Sequence, residues 1–412
     1  MYYTKIYYIM RKILLSLSLV LPLAMSCKKE GCTDSTAINY NVEAKKDDGT
    51  CKYSSTDESL IEISSNITSD TTWESGRIYV LKSRVSVVDG VTLTIEPGTV
   101  IKGDVGTGAN ATALIIAQGG KIMAEGTVTS PIIFTSTADN IQPGDILSPN
   151  LSEELNGLWG GLIVLGKAPI SADAILSQIE GIPPSDPNGL YGGSDAEDNS
   201  GVIKYISIRH GGANIGEGNE INGLTLGGVG NGTTIENVEV LSNQDDGIEW
   251  FGGTVSVKNA IVVNAGDDAI DTDQAWAGTL DNFIVINPSD ECFELDGPEG
   301  VRDGKHTIKN GSIKAQDADG LVDNDANSHV DMDNIYFFDL TIGQDFDQLP
   351  TDYSCTFSNI EATLPTNTLL TDFFKGGSDV FVTSVDTPTI GADKSVFDGW
   401  SYSSVSGLLT DF

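Results

Sequence analysis

Thr-Ile-Glu-Asn-Val-Glu-Val at 234–240, Val-Ser-Val-Lys-Asn-Ala-Ile-Val-Val at 255–263, Thr-Leu-Asp-Asn-Phe-Ile-Val-Ile at 279–286 and Thr-Ile-Lys-Asn-Gly-Ser-Ile at 307–313 are copies of one short pattern. Each carries an asparagine in register, at Asn237, Asn259, Asn282 and Asn310. Nine residues after each asparagine comes an acid: Asp246, Asp268, Glu291 and Asp319. Two residues further an apolar side chain returns, at Ile248, Ile270, Phe293 and Leu321. A period of 22 to 28 residues built from short β-type runs is the mark of a solenoid. Strand runs this short, joined by Gly and Asn turns, predict a right-handed parallel β-helix formed by a single chain.

Composition agrees. The 412 residues include 46 glycines, and 39% are hydrophobic, enough for a large core. Lys+Arg 23 against Asp+Glu 59 gives a formal net charge of −36. That balance excludes nucleic acid and anionic lipid head groups as partners and favours cations.

The chain opens as a targeting segment. Lys5, Arg11 and Lys12 precede an apolar stretch from Ile13 to Leu23, too short to span a bilayer comfortably. It ends Leu-Ala-Met-Ser-Cys at 23–27, which resembles a bacterial lipoprotein signal. The resemblance implies removal of residues 1–26 and lipid attachment at Cys27. In an exported chain Cys32 and Cys51 are expected to form a disulfide, closing a small module over 27–53. Asp34, Asp47 and Asp48 in that module are either Ca²⁺ ligands or ordinary turn residues, and the second reading is preferred. Cys292 and Cys355 sit in apolar runs and read as core.

Residues 54–70, rich in Ser, Thr and Asp, read as a linker. The β-helix is expected over 71–342, with loop insertions near 137–156 and 171–200, where Pro and Gly interrupt the strand pattern. Residues 343–412 read as an irregular C-terminal cap, with Phe397 and Trp400 covering the last coil.

Coils in a parallel β-helix stack at about 4.8 Å, so equivalent residues form ladders. Ile235, Val257, Leu280 and Ile308 would line the core, and the asparagines would form an amide ladder at a turn. Acids would stack too: Asp245, Asp246 and Glu249, then Asp267, Asp268, Asp271 and Asp273, then Asp290, Glu291 and Glu294. Such a stripe is costly unless protonated, hydrogen-bonded or bridged by cations. Either Ca²⁺, which takes six to eight oxygen ligands, is bound there as a cofactor, or the stripe is a solvated acidic edge whose turn aspartates cap backbone N–H groups. Trp250, Phe251 and Trp276 lie beside these turns; they would either stack on sugar rings or pack the turns, and packing is preferred.

Ser-Asn-Gln-Asp-Asp-Gly-Ile-Glu at 242–249, followed by Gly-Asp-Asp at 266–268, resembles the first two motifs of the polygalacturonases, hydrolases of the pectate-lyase-like β-helix kind. The resemblance implies a general acid and base among Asp246, Asp267 and Asp268. The family's Gly-His-Gly motif is absent from the next coil, which reads Pro-Ser-Asp-Glu at 288–291, and its Arg-Ile-Lys motif is also missing. A lyase would use Arg302 or Lys305 as base, with Arg209 and His210 a distant alternative. The three histidines, His210, His306 and His329, are dispersed and form no metal-ligand motif.

A second resemblance covers residues 27–412. Gly-Cys-Thr-Asp-Ser-Thr-Ala-Ile-Asn-Tyr-Asn at 31–41, Gly-Leu-Trp-Gly-Gly-Leu-Ile-Val-Leu-Gly at 157–166 and Gly-Ile-Glu-Trp-Phe-Gly-Gly at 247–253 resemble cell-surface β-helix lipoproteins of the Bacteroidota. That resemblance implies a protein anchored by lipid at the outer membrane or cell surface. It would be a monomer unless it joins a surface complex, and would bind glycan, protein or matrix, with Ca²⁺ as a possible requirement. A carbohydrate-active enzyme using the acids of 245–296 is the alternative.

Overall fold

The structure is a computed structural model and describes residues 29–34, 37, 39–51, 60–215, 221–350 and 355–412. Cys27 and the leader lie outside the described residues. The chain divides into two units, Met1–Glu58 and Ser59–Phe412. In the first, Cys32 and Cys51 form the expected disulfide. Asp47 and Asp48 accept hydrogen bonds from the backbone N–H groups of Gly49 and Thr50, at 3.0 and 2.9 Å, as turn carboxylates do.

The second unit is the parallel β-helix. A long sheet runs without interruption from the strand Leu60–Ile63 to Val382–Ser384. A shorter sheet runs from Arg84–Val87 to Asp323–Asn324. Every pairing within these two sheets is parallel, and the core lies between them. Ile235, Val257, Leu280 and Ile308 stand opposite one another in register and are fully buried, as expected.

The asparagine ladder forms at a sharp bend within five successive long-sheet strands, from Thr234–Leu241 to Val330–Phe338. Asn237, Asn259, Asn282, Asn310 and Asn334 have φ between +58° and +62°. Asn tolerates this left-handed backbone better than other residues carrying a Cβ, which explains its recurrence at one position. Asn259 donates to Asn237 Oδ1 and Asn282 to Asn259 Oδ1, each at 2.9 Å.

Three boundaries differ from expectation. Leu60–Ile63 already pairs with Ile78–Leu81, so the β-helix begins about ten residues before the predicted end of the linker. The fourth repeat is one residue out: Gly320 stands opposite Glu291 and Asp323 opposite Glu294. Val322 rather than Leu321 therefore follows Phe293 in the ladder, although both are buried. The C-terminal segment is the third. The solenoid continues through Thr356–Ala362 and Val382–Ser384, and Phe373 and Phe374 close its core. Residues 385–412 then return along the outside of the long sheet. Phe397, Trp400, Tyr402 and Leu409 pack on Leu241, Ile261, Val263, Ile284 and Ile286. The aromatic pair covers a sheet face and not the last coil, because these outward positions are apolar on several successive coils.

A buried polar knot fastens this strap. The Glu239 carboxylate accepts from the backbone N–H groups of Tyr402 and Ser403, at 2.9 and 2.8 Å, and from the hydroxyls of Ser207 and Ser403. Arg209, fully buried, lies 4.0 Å away and donates to Ile146 O in the 137–156 insertion. Glu239→Ala is expected to cost about 3–5 kcal/mol in urea unfolding, because it strands a buried guanidinium and frees the strap. Limited proteolysis should then cut within residues 385–412. A variant as stable and as protease-resistant as the parent would contradict this.

Candidate functional site

The acidic stripe forms on the outward side of the short sheet. In Ile248–Phe251, Ile248 and Trp250 enter the core while Glu249 and Phe251 face out. The same alternation puts Asp271 and Asp273 outward on the next coil. One outward ladder thus reads Ile115, Ile163, Thr225, Glu249, Asp271, Glu294, Asp323, changing from apolar to acidic along the helix. The insertion near 171–200 covers the apolar half, packing Ile179, Ile182 and Tyr191 on Ile115, Ile163 and Phe251.

A second ladder runs along the turn before these strands. Asp246 Oδ1 accepts from the backbone N–H of Asp268 at 3.0 Å, and Asp268 Oδ1 from that of Glu291 at 2.7 Å. Between the ladders the chain needs a small residue. A Cβ on Gly247 would meet Val262 Cγ1 at 2.3 Å and Ala269 O at 2.6 Å. This accounts for glycine in Asp-Gly-Ile at 246–248; the next copies carry Ala269 and Cys292 there, both fully buried.

The acids lie close together and deep. One carboxylate oxygen from each of Asp246, Glu249 and Asp271 lies within 4.8 Å of the others, and the same holds for Asp245, Asp246 and Asp267. Asp246, Glu249, Asp268 and Asp271 are buried; Asp245, Asp267, Asp273, Asp290, Glu291 and Glu294 are half-buried. Among the described residues, none of Asp246, Glu249, Asp268, Asp271, Asp273, Glu291 or Glu294 forms an ion pair with Lys, Arg or His. Burial, followed by the neighbouring carboxylates, drives up the proton affinities of Asp246, Glu249, Asp268, Asp271, Asp273 and Glu291. Asp246, Glu249 and Asp271 rise well above the ordinary carboxyl range. Burial and Asp246 push Asp268 to about 11; burial and Asp296 push Asp273 to about 8. Burial and Asp290 push Glu291 to about 8, and burial with Asp325 takes Asp296 to about 7.

Other expected site residues lie elsewhere. Arg302 donates to Ala275 O at 2.7 Å, and Lys305 pairs with Asp331 at 2.7 Å. Arg209 is in the strap knot, and His210 bonds Leu155 O. Trp250 and Trp276 are buried and stacked on each other, ring centroids 4.5 Å apart, and Phe251 packs under the insertion. These aromatics cannot offer a face to a sugar; the packing reading is the one the structure shows. Cys292 is buried as expected, whereas Cys355 is only half-buried. A groove of about 520 Å³ beside the insertion is lined by Arg84, Gln178, Glu180 and Pro184 among others, and by none of the ladder acids.

Two participants escaped the sequence reading. Asn222 precedes Asp246 in the turn ladder, and its Nδ2 donates to Glu249 Oε2. Asn-Gly-Leu at 222–224 matches Asp-Gly-Ile at 246–248, a signal present one coil before the quoted repeats. Glu180 reaches the field of Glu249 and Asp273 from the insertion, where no repeat marks it.

In the absence of divalent cations these acids make stability depend on pH in a defined direction. Their folded-state values lie above the unfolded ones, so the native state holds protons that the unfolded chain has released. For Asp273 and Glu291 the contribution is complete below about pH 4 and is lost as pH rises through about 8, and for Asp268 the loss extends toward about 11. In chelator, the melting temperature is therefore expected to be higher at pH 5 than at pH 8. A midpoint that rises over that interval would contradict the raised values.

No curated protein matches the sequence, and no solved structure matches it. Residues 65–330 match a family model described as a pectate-lyase-like beta helix domain. That span covers both sheets around the acidic stripe and more than half of the chain, and the chain accordingly belongs to the pectate-lyase-like β-helix domain family.

Proposed function

We propose that the protein is an exported, lipid-anchored binding protein of the cell surface or outer membrane, whose β-helix displays a Ca²⁺-organised acidic face to a glycan, protein or matrix ligand. The export reading is supported by the lipoprotein-like leader ending at Cys27 and by the Cys32–Cys51 disulfide, a bond of oxidising compartments. The resemblance to Bacteroidota surface lipoproteins points the same way.

One observation carries the cation reading: carboxylates of two successive coils converge within 4.8 Å, Glu294 continues their column on the next, and among the described residues Asp246, Glu249, Asp268 and Asp271 pair with no Lys, Arg or His. Water elsewhere relieves such repulsion; here burial removes it. Either protons or metal ions must neutralise the stripe. Carboxylate oxygens at this spacing suit Ca²⁺, a hard ion with bonds of about 2.3–2.6 Å.

Catalysis is the second reading, favoured by the proximity of half-buried Asp267 to buried Asp246. Their oxygens lie within 4.8 Å, whereas inverting hydrolysis wants carboxyls about 6.5–9.5 Å apart. The candidate lyase bases are engaged with Ala275 O and Asp331.

A panel of neutral glycans and polyuronates, scored for both binding and cleavage with and without Ca²⁺, separates the readings. Binding that needs Ca²⁺, with no cleavage, is expected. At a hundredfold excess over Kd, Ca²⁺ should also stabilise the fold by about 2.7 kcal/mol. Cleavage abolished by Asp268→Asn would overturn the binding-only reading. Unchanged melting and binding on chelation would remove Ca²⁺ from the account.

A further inference from the structure

We propose that the groove between Arg84 and the 171–200 insertion is a binding site for a small apolar monocarboxylate, its charged end seated on the Arg84 guanidinium. The site is separate from the acidic stripe and does not depend on a cation there.

The groove follows from the first coil of the short sheet. Arg84–Val87 sends Val85 and Val87 into the core, so Arg84 and Ser86 face out. The next coil places Ala113 opposite Arg84 and Ile115 opposite Ser86. A long side chain followed by a methyl group leaves a hollow. The insertion borders that hollow without filling it, because its Ile179 and Ile182 pack on Ile115 and Ile163. The space left is about 520 Å³, within the range of small-molecule sites.

The walls are apolar and stiff. Ile179, Ile182, Pro183, Pro184 and Ile215 line them. The prolines have fixed φ, and Gln178 Nε2 fastens their turn by donating to Ile182 O and Pro183 O, each at 3.3 Å. A wall built before the ligand arrives spares part of the ordering cost of binding.

Arg84 supplies the chemistry. In a chain with 59 Asp and Glu residues it forms no ion pair among the described residues. Its Nη1 reaches Gly108 O only at 3.5 Å, which leaves most of its five donors open. A planar guanidinium takes a carboxylate through two parallel hydrogen bonds. Glu180 also lines the groove and disfavours a second negative charge. The ligand that fits therefore carries one carboxylate on an aliphatic or aromatic body.

Calorimetric titration of the protein in chelator tests this, with decanoate, the neutral decanamide and the dicarboxylate sebacate as probes. Decanoate is expected to bind saturably, and the other two about tenfold more weakly, the discrimination that a charge-assisted pair supplies. Arg84→Gln, at a half-buried position, should keep the parent's melting temperature and erase the preference for decanoate over decanamide. Ala109→Trp, at an exposed position on the groove, should weaken decanoate by filling the space while leaving Arg84 in place. No saturable binding of decanoate, or a preference over decanamide that survives Arg84→Gln, would overturn the site. Chelator removes any cation from the acidic stripe, so neither outcome bears on the cation reading.

Discussion

Stacking in register is the constraint on which the rest of this molecule depends. Each coil lies about 4.8 Å from the next, so a side chain meets its own equivalent above and below. Apolar residues gain from this arrangement, as Ile235, Val257, Leu280 and Ile308 do. Asparagines gain too, because an amide both donates and accepts, and Asn237, Asn259 and Asn282 pass hydrogen bonds along the column. Carboxylates do not. Glu249, Asp271 and Glu294 meet like charge on like charge, and the short sheet keeps them there. A fold that makes core and amide ladders cheap makes an acidic ladder expensive, so the stripe needs a compensating partner.

The additions to the solenoid follow the chemistry of its outer faces. The insertion near 171–200 lays its apolar side chains on the apolar part of the outward ladder, while its Glu180 reaches the first of the acids. The C-terminal strap covers the long sheet where Leu241, Ile261, Val263 and Ile284 face outward. Glu239 and Arg209 anchor that strap and the 137–156 insertion together. The charged pair offsets its desolvation here because both carboxylate oxygens of Glu239 accept from a backbone N–H and a hydroxyl.

Much of this was legible in the sequence, for a physical reason: a repeat writes one coil several times, so period, core positions and asparagine bends each appear repeatedly. The acidic ladders were legible by the same logic. The strap was not. Its defining contact joins Glu239 to Tyr402, 163 residues apart, and involves a residue outside any repeat. The one-residue shift at Asp323 was hidden because the extra residue sits in a turn, where spacing carries little information. Burial of Trp250 depends on which way alternate residues point in a strand of four residues beside a Gly turn, and Trp276 lies beyond the strand Ile270–Asp273, where no alternation applies. Asn222 was missed because an amide stands where later coils have acids.

What neutralises the buried carboxylates is the central question. Anomalous diffraction from crystals of the β-helix unit, Ser59–Phe412, soaked in Mn²⁺ or Ca²⁺ at neutral pH answers it most directly. The account predicts peaks about 2.0–2.6 Å from oxygens of Glu249, Asp271 and Asp246. An ordered site without anomalous density, its carboxyl oxygens drawn to about 2.5–2.7 Å as proton-sharing pairs, would contradict it.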